Sequence, residues 1–441
     1  MRADPPADAG DVAPGAVRST SIVGVSLVAW GIGSYAYYLI AGRMVGPATY
    51  GLVSAMIAVI AIIGWPSLSL QWSMARTFAA HGAADRPGVL AVYRHALVRA
   101  TALAVVLAAI AITITLVVSA AGFGVPVWAV VATALSAIPM LPLAVVLGAL
   151  QGRHRYGAYA AAFAATGVLR ALLILPLLLL PVVGATPVVL ATGIALAVGV
   201  LIAMWHTRGD LRIRAHVPAP IWRSVTRGMG ATVVGLLGFA SIFGLGVVVA
   251  RLRLTPVDAG YFGAAGVLAR AMIIAPQALT VVLLPRIASR RSRDVPTGAL
   301  LGGAVLVTTA IGVIVSLACI VVGDQVMHLT FGASYASAGD LLPQYVLTST
   351  LICALFLLVN HHVARGDHRF AWFLGGLALL HVVLLGLLGN GPNAIIAIDG
   401  VAAVLGLLGH EWIYRGTGDG LIAGSRMALS AARSGVGARG G

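Results

Sequence analysis

The chain alternates between long apolar stretches and short polar connections over almost its whole length. Each stretch reaches the roughly 20 residues that an α-helix needs to cross about 30 Å of hydrocarbon. Apolar length and the Pro, Gly and Arg positions that interrupt it therefore predict an all-α integral membrane protein with about a dozen spans. The predicted helices lie near 19–42, 51–80, 90–120, 126–150, 157–181, 186–206, 229–250, 260–286, 298–322, 336–363, 370–389 and 394–414.

Composition supports this pattern. Residues of the set AVILMFWYC make up 60% of the chain and charged residues only 9%, whereas about a quarter of a soluble domain is charged. Cys319 and Cys353 both lie inside apolar stretches, and Asn360, His361 and His362 lack a third metal ligand at suitable spacing. The sequence therefore indicates no disulfide framework, metal or cofactor.

The cationic residues are distributed unevenly between the two sides. All 28 are arginines, and 23 fall in the tails, in every second connection or at the adjoining helix ends. Arg43, Arg251 and Arg253 lie on the other side, while Arg170 and Arg270 lie within spans. Cytoplasmic loops are enriched in Arg, which places both termini in the cytoplasm. The net charge of +15 is then explained by topology and by contact with anionic membrane lipids, and not by nucleic acid.

The same pattern divides the chain into five parts. The longest connection contains Pro and Arg and predicts either a plain linker or a basic amphipathic segment on the inner leaflet. The longest outward connection, around 322–335, is too short for an outer domain. The predicted parts are a disordered cytoplasmic tail at 1–18, a six-helix lobe at 19–206, a cytoplasmic linker at 207–228, a second six-helix lobe at 229–415 and a cytoplasmic tail at 416–441.

An internal repeat relates the two predicted lobes. Pro47-x-x-x-Gly51 follows the first helix and Pro256-x-x-x-Gly260 the seventh, 209 residues later. Six helices per lobe is an even number, so both copies have the same orientation, as in transporters that carry substrate between two halves. Two further repeated patterns occur in the same order. Pro66 and Arg76 in the first lobe match Pro276 and Arg286 in the second. Likewise, Gly152-Arg-His-Arg-Tyr156 matches Gly366-Asp-His-Arg-Phe370.

Four segments carry a resemblance to a known family. They are GRMVGPATYGLVSA, LTPVDAGYFGAAGVLARA, LPRIASR and FGASYASAGDLLP. In these the chain resembles the polysaccharide-export and lipid-linked oligosaccharide flippases (Wzx-like) of the MOP exporter superfamily. The resemblance implies two six-helix bundles in a V shape and a cationic cavity lined by helices one, two, seven and eight. It also implies transfer of a polyprenyl-diphosphate-linked glycan from the inner to the outer leaflet, with glycosyltransferases or a polymerase as partners.

Two arginines within spans are the main candidates for binding such a substrate. A guanidinium group forms paired hydrogen bonds with phosphate, and an ionisable group near mid-membrane indicates function by default. Arg270 is predicted to contact the diphosphate, the alternative being a structural role at the Pro276 kink. Arg170 in the fifth helix is a second candidate, the alternative being a pairing with another polar group.

The remaining candidates lie nearer the membrane surfaces or in the second lobe. Arg43, with Arg251 and Arg253, either receives the diphosphate at the outer mouth or pairs with Asp258. Arg76 and Arg286 are further substrate candidates, the alternative being that they anchor helices at the membrane interface. The candidates for contacting the sugar are Gln71, Gln277, Tyr35, Tyr37 and Tyr38. Asp399 and His381 are candidates for binding a coupling ion, with capping or interfacial pairing as the alternative.

Other functions stay open on the sequence alone. A drug or cation antiporter of the same superfamily would favour acids over arginines in its cavity. A lipid II flippase usually carries two more helices than the pattern predicts here. A glycan-assembly enzyme would need a large outward loop, and a scaffold in a glycan-assembly complex needs no transport activity. The chain contains no Lys and therefore has no Walker-type nucleotide site.

Overall fold

The computed structural model describes residues 14–120, 127–179, 184–212, 215–274 and 298–415, together with 417, 420–427 and 430. These residues form helices and connections, with no β-strand among them. The α-helices are α1 (Pro14–His81), α2 (Arg86–Ala120), α3 (Val127–Ala137), α4 (Met140–Gly152), α5 (Tyr156–Leu178), α6 (Thr186–Thr207), α7 (Ala219–Thr226), α8 (Met229–Arg253), α9 (Pro256–Arg270), α10 (Gly298–Phe331), α11 (Leu342–Arg365), α12 (Arg369–Leu388) and α13 (Pro392–Tyr414). Short 3₁₀ helices lie at Asp210–Arg212, Ala271–Ile273 and Ala333–Leu341.

Ten helical segments of the described chain are long and apolar enough to cross a membrane. The first, Ser21–His81, has 61 residues and is long enough for two crossings at about 1.5 Å per residue. Gly46 divides it, with φ of 70° and ψ of 168°, a backbone conformation that favours glycine. The predicted first two helices are therefore present as the two parts of α1.

Two predicted boundaries change in the structure. The predicted helix 126–150 consists of α3 and α4, which are separated at Ile138 and Pro139. The residue before a proline avoids the helical region, which explains an interruption at this position. The predicted helix 260–286 is described only to residue 274, so Pro276, Gln277, Arg286 and the LPRIASR segment lie outside the described residues.

The predicted outward connection at 322–335 is wrong, because α10 continues to Phe331 and a 3₁₀ helix follows. Met327 and Phe331 are four residues apart and fully buried, while Asp324 and His328 are exposed. Side chains four apart share one helix face, so this last part of α10 is an amphipathic extension and not a loop. Its apolar face packs against the first half of the chain.

Small residues bring helices together within each half of the chain. A Cβ on Gly33 of α1 would lie 2.6 Å from the carbonyl oxygen of Gly167 in α5. In the second half, a Cβ on Gly238 of α8 would lie 2.5 Å from the carbonyl oxygen of Leu374 in α12. Such close approaches are typical of helix packing in membranes. The α1–α5 contact of the first half therefore has a counterpart in the α8–α12 contact of the second.

The first repeated motif of the sequence forms a contact between the two halves. A Cβ on Gly260 would lie 2.0 Å from the carbonyl oxygen of Pro47, and one on Gly51 would lie 2.9 Å from the carbonyl oxygen of Pro256. The two Pro-x-x-x-Gly segments therefore cross with their backbones in contact. Both follow connections that the arginine distribution assigns to the outer side, so the halves meet at the predicted outer end.

Further contacts join the halves at the same end. The Tyr335 hydroxyl donates to the carbonyl of Gly42 at 3.0 Å, and the Tyr50 ring packs against Phe331 with 5.5 Å between centroids. Arg43 donates to the carbonyl of Thr330 at 2.9 Å. We call the contact made by Gly42, Arg43, Tyr50, Gly51, Gly260, Thr330, Phe331 and Tyr335 the outer contact.

Candidate functional site

Arg270 lies at the end of α9, where the chain changes from α-helix to a 3₁₀ turn. Its guanidinium group donates to the Tyr345 hydroxyl at 2.9 Å and lies 5.3 Å from the ring centroid of Phe243. It also interacts electrostatically with Tyr35 and Asp399. Within the described chain it forms no ion pair. Arg270 is therefore held by aromatic groups and keeps donors for an anion.

Arg170 is enclosed by aromatic rings of α1. Its guanidinium carbon lies 5.1 Å from the ring centroids of Tyr37 and Tyr38 and 5.8 Å from that of Trp30. The residue is only 7% exposed, and its Nε has no hydrogen-bond partner in the described structure. Cation–π contacts stabilise a desolvated guanidinium by about 2 kcal/mol. They leave the buried Nε donor unsatisfied, which is costly for a charged group.

Tyr35 lies near both Arg270 and Arg170. Its ring contacts Tyr38 with 6.2 Å between centroids. One arginine belongs to the first half of the chain and the other to the second. We call Tyr35, Tyr37, Tyr38, Arg170, Arg270 and Tyr345 the arginine–tyrosine site. Sequence reasoning named five of these residues but missed Tyr345, whose only signal was a polar ring near the start of an apolar span.

Trp65 packs between helices of the second half next to this site. Its ring lies 4.9, 5.5 and 5.4 Å from those of Phe239, Phe243 and Phe356, measured between centroids. Phe243 in turn contacts Arg270. Trp65 therefore couples the position of α1 to the surroundings of Arg270. The only feature of the sequence that pointed to Trp65 was its position next to Pro66, which lies within the helical backbone of α1.

Asp399 and His381, predicted as coupling residues, lie next to each other. His381 Nε2 is 2.8 Å from a carboxylate oxygen of Asp399, and its Nδ1 is 3.2 Å from the Ser241 hydroxyl. Both residues are at most 1% exposed. A hydrogen-bonded carboxylate and imidazole inside a membrane span form a group that exchanges a proton or binds a cation. Arg270 interacts electrostatically with Asp399, which links this pair to the arginine–tyrosine site.

Two of the three predicted outer arginines donate to carbonyl oxygens instead of acids. Arg43 donates to carbonyls at the end of α10, and Arg253 donates to Gly386 O at 2.6 Å and Asn390 Oδ1 at 3.2 Å. Asp258 accepts from the Thr255 hydroxyl at 2.6 Å. In the described chain none of the three outer arginines forms the alternative ion pair with Asp258.

Gln71 and Arg76 lie apart from the two mid-span arginines. The buried Gln71 amide donates to Gln151 Oε1 at 3.1 Å and is 3.5 Å from the Tyr159 hydroxyl. Arg76 is exposed and donates to the Ser73 hydroxyl at 3.2 Å. Gln71 therefore joins α1 to α4 and α5 at the inner part of the first half. Gln277 and Arg286 lie outside the described residues.

The predicted linker contains a short helix. In α7, Ile221 and Val225 are buried four residues apart, and Arg223 is exposed. Trp222 contacts the ring of His95 in α2 at 4.9 Å between centroids, and the Arg99 guanidinium lies 5.2 Å from its ring. The linker therefore contains a short amphipathic helix that packs on α2, and its location on the inner leaflet stays a prediction.

Comparison with solved structures identifies the fold. A multidrug resistance MATE family transporter of the MOP superfamily in its inward-facing conformation superposes with a TM-score of 0.66 at 16% identity, covering 95% of this chain and 99% of that one. The inward closed conformation of the lipid II flippase MurJ gives 0.66 at 12% identity, covering 89% and 86%. The chain has the fold of these MATE and MurJ structures.

A third solved structure has the same fold. The outward-facing conformation of a multidrug resistance MATE family transporter of the MOP superfamily gives a TM-score of 0.58 at 17% identity, covering 95% of this chain and 96% of that one. No protein family model matches the chain, and no curated protein sequence matches it. The described residues form helices without strands and match these structures over most of the chain, so the predicted fold class is confirmed.

Proposed function

We propose that this protein is a flippase that moves a polyprenyl-diphosphate-linked oligosaccharide or polysaccharide precursor from the inner to the outer leaflet of the bacterial plasma membrane. The two halves alternate their access to the two sides, and the product serves cell-surface polysaccharide synthesis. Both termini lie in the cytoplasm, and the lobes comprise residues 19–206 and 229–415. Glycosyltransferases or a polymerase act before or after it on the same lipid-linked glycan.

The arrangement of Arg170 and Arg270 carries this proposal. Two mid-span cations face a group of tyrosines between them, and in the described chain neither cation has a carboxylate bonded to it. Guanidinium donors bind diphosphate oxygens, and tyrosines offer both flat rings and hydroxyl groups to a sugar. A lipid that carries a diphosphate and a glycan would use both the guanidinium donors and the tyrosines.

The buried His381–Asp399 pair supplies a route to ion coupling. Its hydrogen bond at 2.8 Å breaks or forms as a proton or cation enters, and Asp399 interacts with Arg270 through space. Ion binding at this pair changes the electrostatic potential at Arg270 and therefore the affinity of Arg270 for an anion. The reciprocal effect follows from linkage.

Accumulation of the lipid-linked precursor on the inner leaflet tests the proposal. Arg270→Gln removes the charge-assisted hydrogen bonds to phosphate, worth about 1.5–3 kcal/mol, or roughly ten- to hundredfold in affinity. We expect the precursor to accumulate inside and to disappear from the surface. Arg94→Gln, which alters an exposed arginine near the inner end of α2, is the matched control and leaves export unchanged. Normal export by Arg270→Gln at normal protein level contradicts the proposal.

The second candidate is a drug or cation antiporter of the same superfamily, and the Asp399–His381 pair favours it. An antiporter of this kind extrudes a cationic dye in exchange for an ion, and the exchange depends on Asp399. Dye efflux from cells with and without the protein separates the two functions. Efflux that is lost in Asp399→Asn but kept in Arg270→Gln supports the antiporter. A lipid II flippase would move the peptidoglycan precursor when it replaces the glycan precursor in the same assay. An assembly enzyme or a scaffold would move neither lipid.

A further inference from the structure

A cavity lies between the halves, and no residue of the arginine–tyrosine site lines it. It has a volume of about 480 Å³ and is lined by α1, α2, α3, the start of α4 and the end of α8. Its volume falls within the range of roughly 300–1,000 Å³ that is typical of ligand pockets. The lining is apolar except for Thr133 and Arg251. The Thr133 hydroxyl donates to the carbonyl of Ala129 at 2.7 Å, which leaves Arg251 as the polar group available to a ligand.

Arg251 has unused hydrogen-bonding capacity at this cavity. Its Nε is buried and has no partner in the described structure, whereas Arg253, two residues away, is bonded to Gly386 and Asn390. A buried guanidinium atom without an acceptor is costly unless a ligand supplies one. The ligand that satisfies this cavity therefore combines an oxyanion with a hydrocarbon part.

The lining of the cavity favours a hydrocarbon chain. Ala108 of α2 and Ala134 of α3 line it, together with Leu107 and Leu252, which are exposed. Exposed apolar side chains on membrane-spanning helices face the hydrocarbon of the bilayer, so a lipid chain reaches the cavity beside Leu107 and Leu252. Arg251 lies on the predicted outer side, so the anionic head of this lipid lies at the outer leaflet.

Helix α8 connects this cavity to the arginine–tyrosine site. Phe243 contacts Arg270, and Arg251 follows eight residues later on the same helix, a rise of roughly 12 Å at 1.5 Å per residue. A diphosphate that leaves Arg270 toward the outer side approaches Arg251 next. The two arginines then hold the anionic head in succession while its chain stays in hydrocarbon.

We propose that this cavity is an outer-leaflet site for the polyprenyl chain of the transported lipid, with its phosphate bound by Arg251. The identity of the chain rests on the proposed flippase function. The single cation at Arg251 takes the one phosphate of such a lipid, and the apolar lining takes the part of its chain next to the phosphate. The same two features suit the head and one acyl chain of a phospholipid. Phosphatidylglycerol is therefore the competing occupant that the experiment tests.

Native mass spectrometry of the purified full-length protein tests this site, with undecaprenyl phosphate and phosphatidylglycerol added at equal concentrations. We expect the wild type to retain undecaprenyl phosphate preferentially. Arg251→Gln removes the charged phosphate donor and lowers the retained fraction by about tenfold. Arg253→Gln, at the same helix end but bonded elsewhere, leaves it unchanged.

A second pair of variants tests the apolar part of the site. Ala108→Phe fills the cavity from α2, whereas Val105→Phe adds similar bulk one turn away, where the side chain is 48% exposed and does not line the cavity. We expect Ala108→Phe to lose undecaprenyl phosphate and Val105→Phe to keep it. Retention that is insensitive to both Arg251→Gln and Ala108→Phe overturns the proposal, as does equal or preferred retention of phosphatidylglycerol.

The outcome is separable from that of the proposed function. Binding is measured without transport, and Arg270→Gln is expected to retain undecaprenyl phosphate in the outer-leaflet site. If Arg270→Gln exports glycan normally while Arg251→Gln loses the lipid, the assignment of the central site is wrong and the lipid site stands. If Arg270→Gln blocks export while the Arg251 and Ala108 variants bind normally, the lipid site is wrong and the flippase proposal stands.

Discussion

The crossing at Gly260 predicts how the two halves can be forced apart. In Gly260→Ala the new methyl group would lie 2.0 Å from the carbonyl oxygen of Pro47, whereas ordinary contact begins near 3.4 Å. The backbones must therefore separate by about 1.4 Å, the difference between these distances. Overpacking of this kind costs about 1–3 kcal/mol. The cost applies only while the outer contact is closed, so the substitution favours conformations in which it is open.

The size of the shift follows from that cost. At 1.4 kcal/mol per factor of ten, the ratio of open to closed molecules rises roughly five- to 150-fold. Gly51→Ala is a milder version, because its methyl group would lie 2.9 Å from the nearest backbone atoms and needs only about 0.5 Å of adjustment. Gly376→Ala is the matched control, since no atom lies within 4 Å of its added Cβ. We therefore expect the open fraction to rise in the order Gly376→Ala, Gly51→Ala, Gly260→Ala.

Double electron–electron resonance between spin labels at Ala48 and Val257 measures this fraction. Both positions are exposed and belong to the two crossing segments, and Cys319 and Cys353 are first replaced by alanine. In Gly260→Ala we expect a larger population of molecules with a second, longer distance between the two labels. An unchanged distance distribution in folded Gly260→Ala, or an equal change in Gly376→Ala, would refute the argument that this crossing closes the outer end.

Three further predictions concern individual side chains. Arg43→Ala removes the donor to Thr330, and because this residue is exposed we expect a small increase in the open fraction, corresponding to at most about 1 kcal/mol, in the same resonance measurement. His381→Ala leaves the buried Asp399 without its hydrogen-bond donor, so we expect a loss of about 1–3 kcal/mol, seen as a lower melting temperature, and unchanged melting would contradict it. Arg170→Leu removes a buried cation with unsatisfied donors, so we expect melting to be unchanged or raised while export is lost; intact export would show that Arg170 is structural.

Much of the fold follows from local features of the sequence. Apolar length fixes the spans because each segment must bury its backbone polar groups within its own helix to cross hydrocarbon. The break at Gly46 lies in the connection predicted after the first helix, whereas the break at Pro139, inside the predicted helix 126–150, was missed. A further exception is the end of α10, where a polar sequence looked like a loop although Met327 and Phe331 form a buried face. That face is recognisable only when its partner, Tyr50, is known to lie opposite.

The candidate site depended more strongly on tertiary structure. The sequence determined that Arg170, Arg270, Asp399 and His381 lie inside apolar spans, because that requires only their positions along the chain. Only the packing of helices far apart in sequence decided that Arg170 and Arg270 share Tyr35 and that His381 bonds Asp399. Likewise, the repeat revealed Gly51 and Gly260 as equivalent, but only the structure showed them in contact. Periodicity constrains which face a helix buries, whereas the identity of the neighbour is set by the packing of the whole bundle.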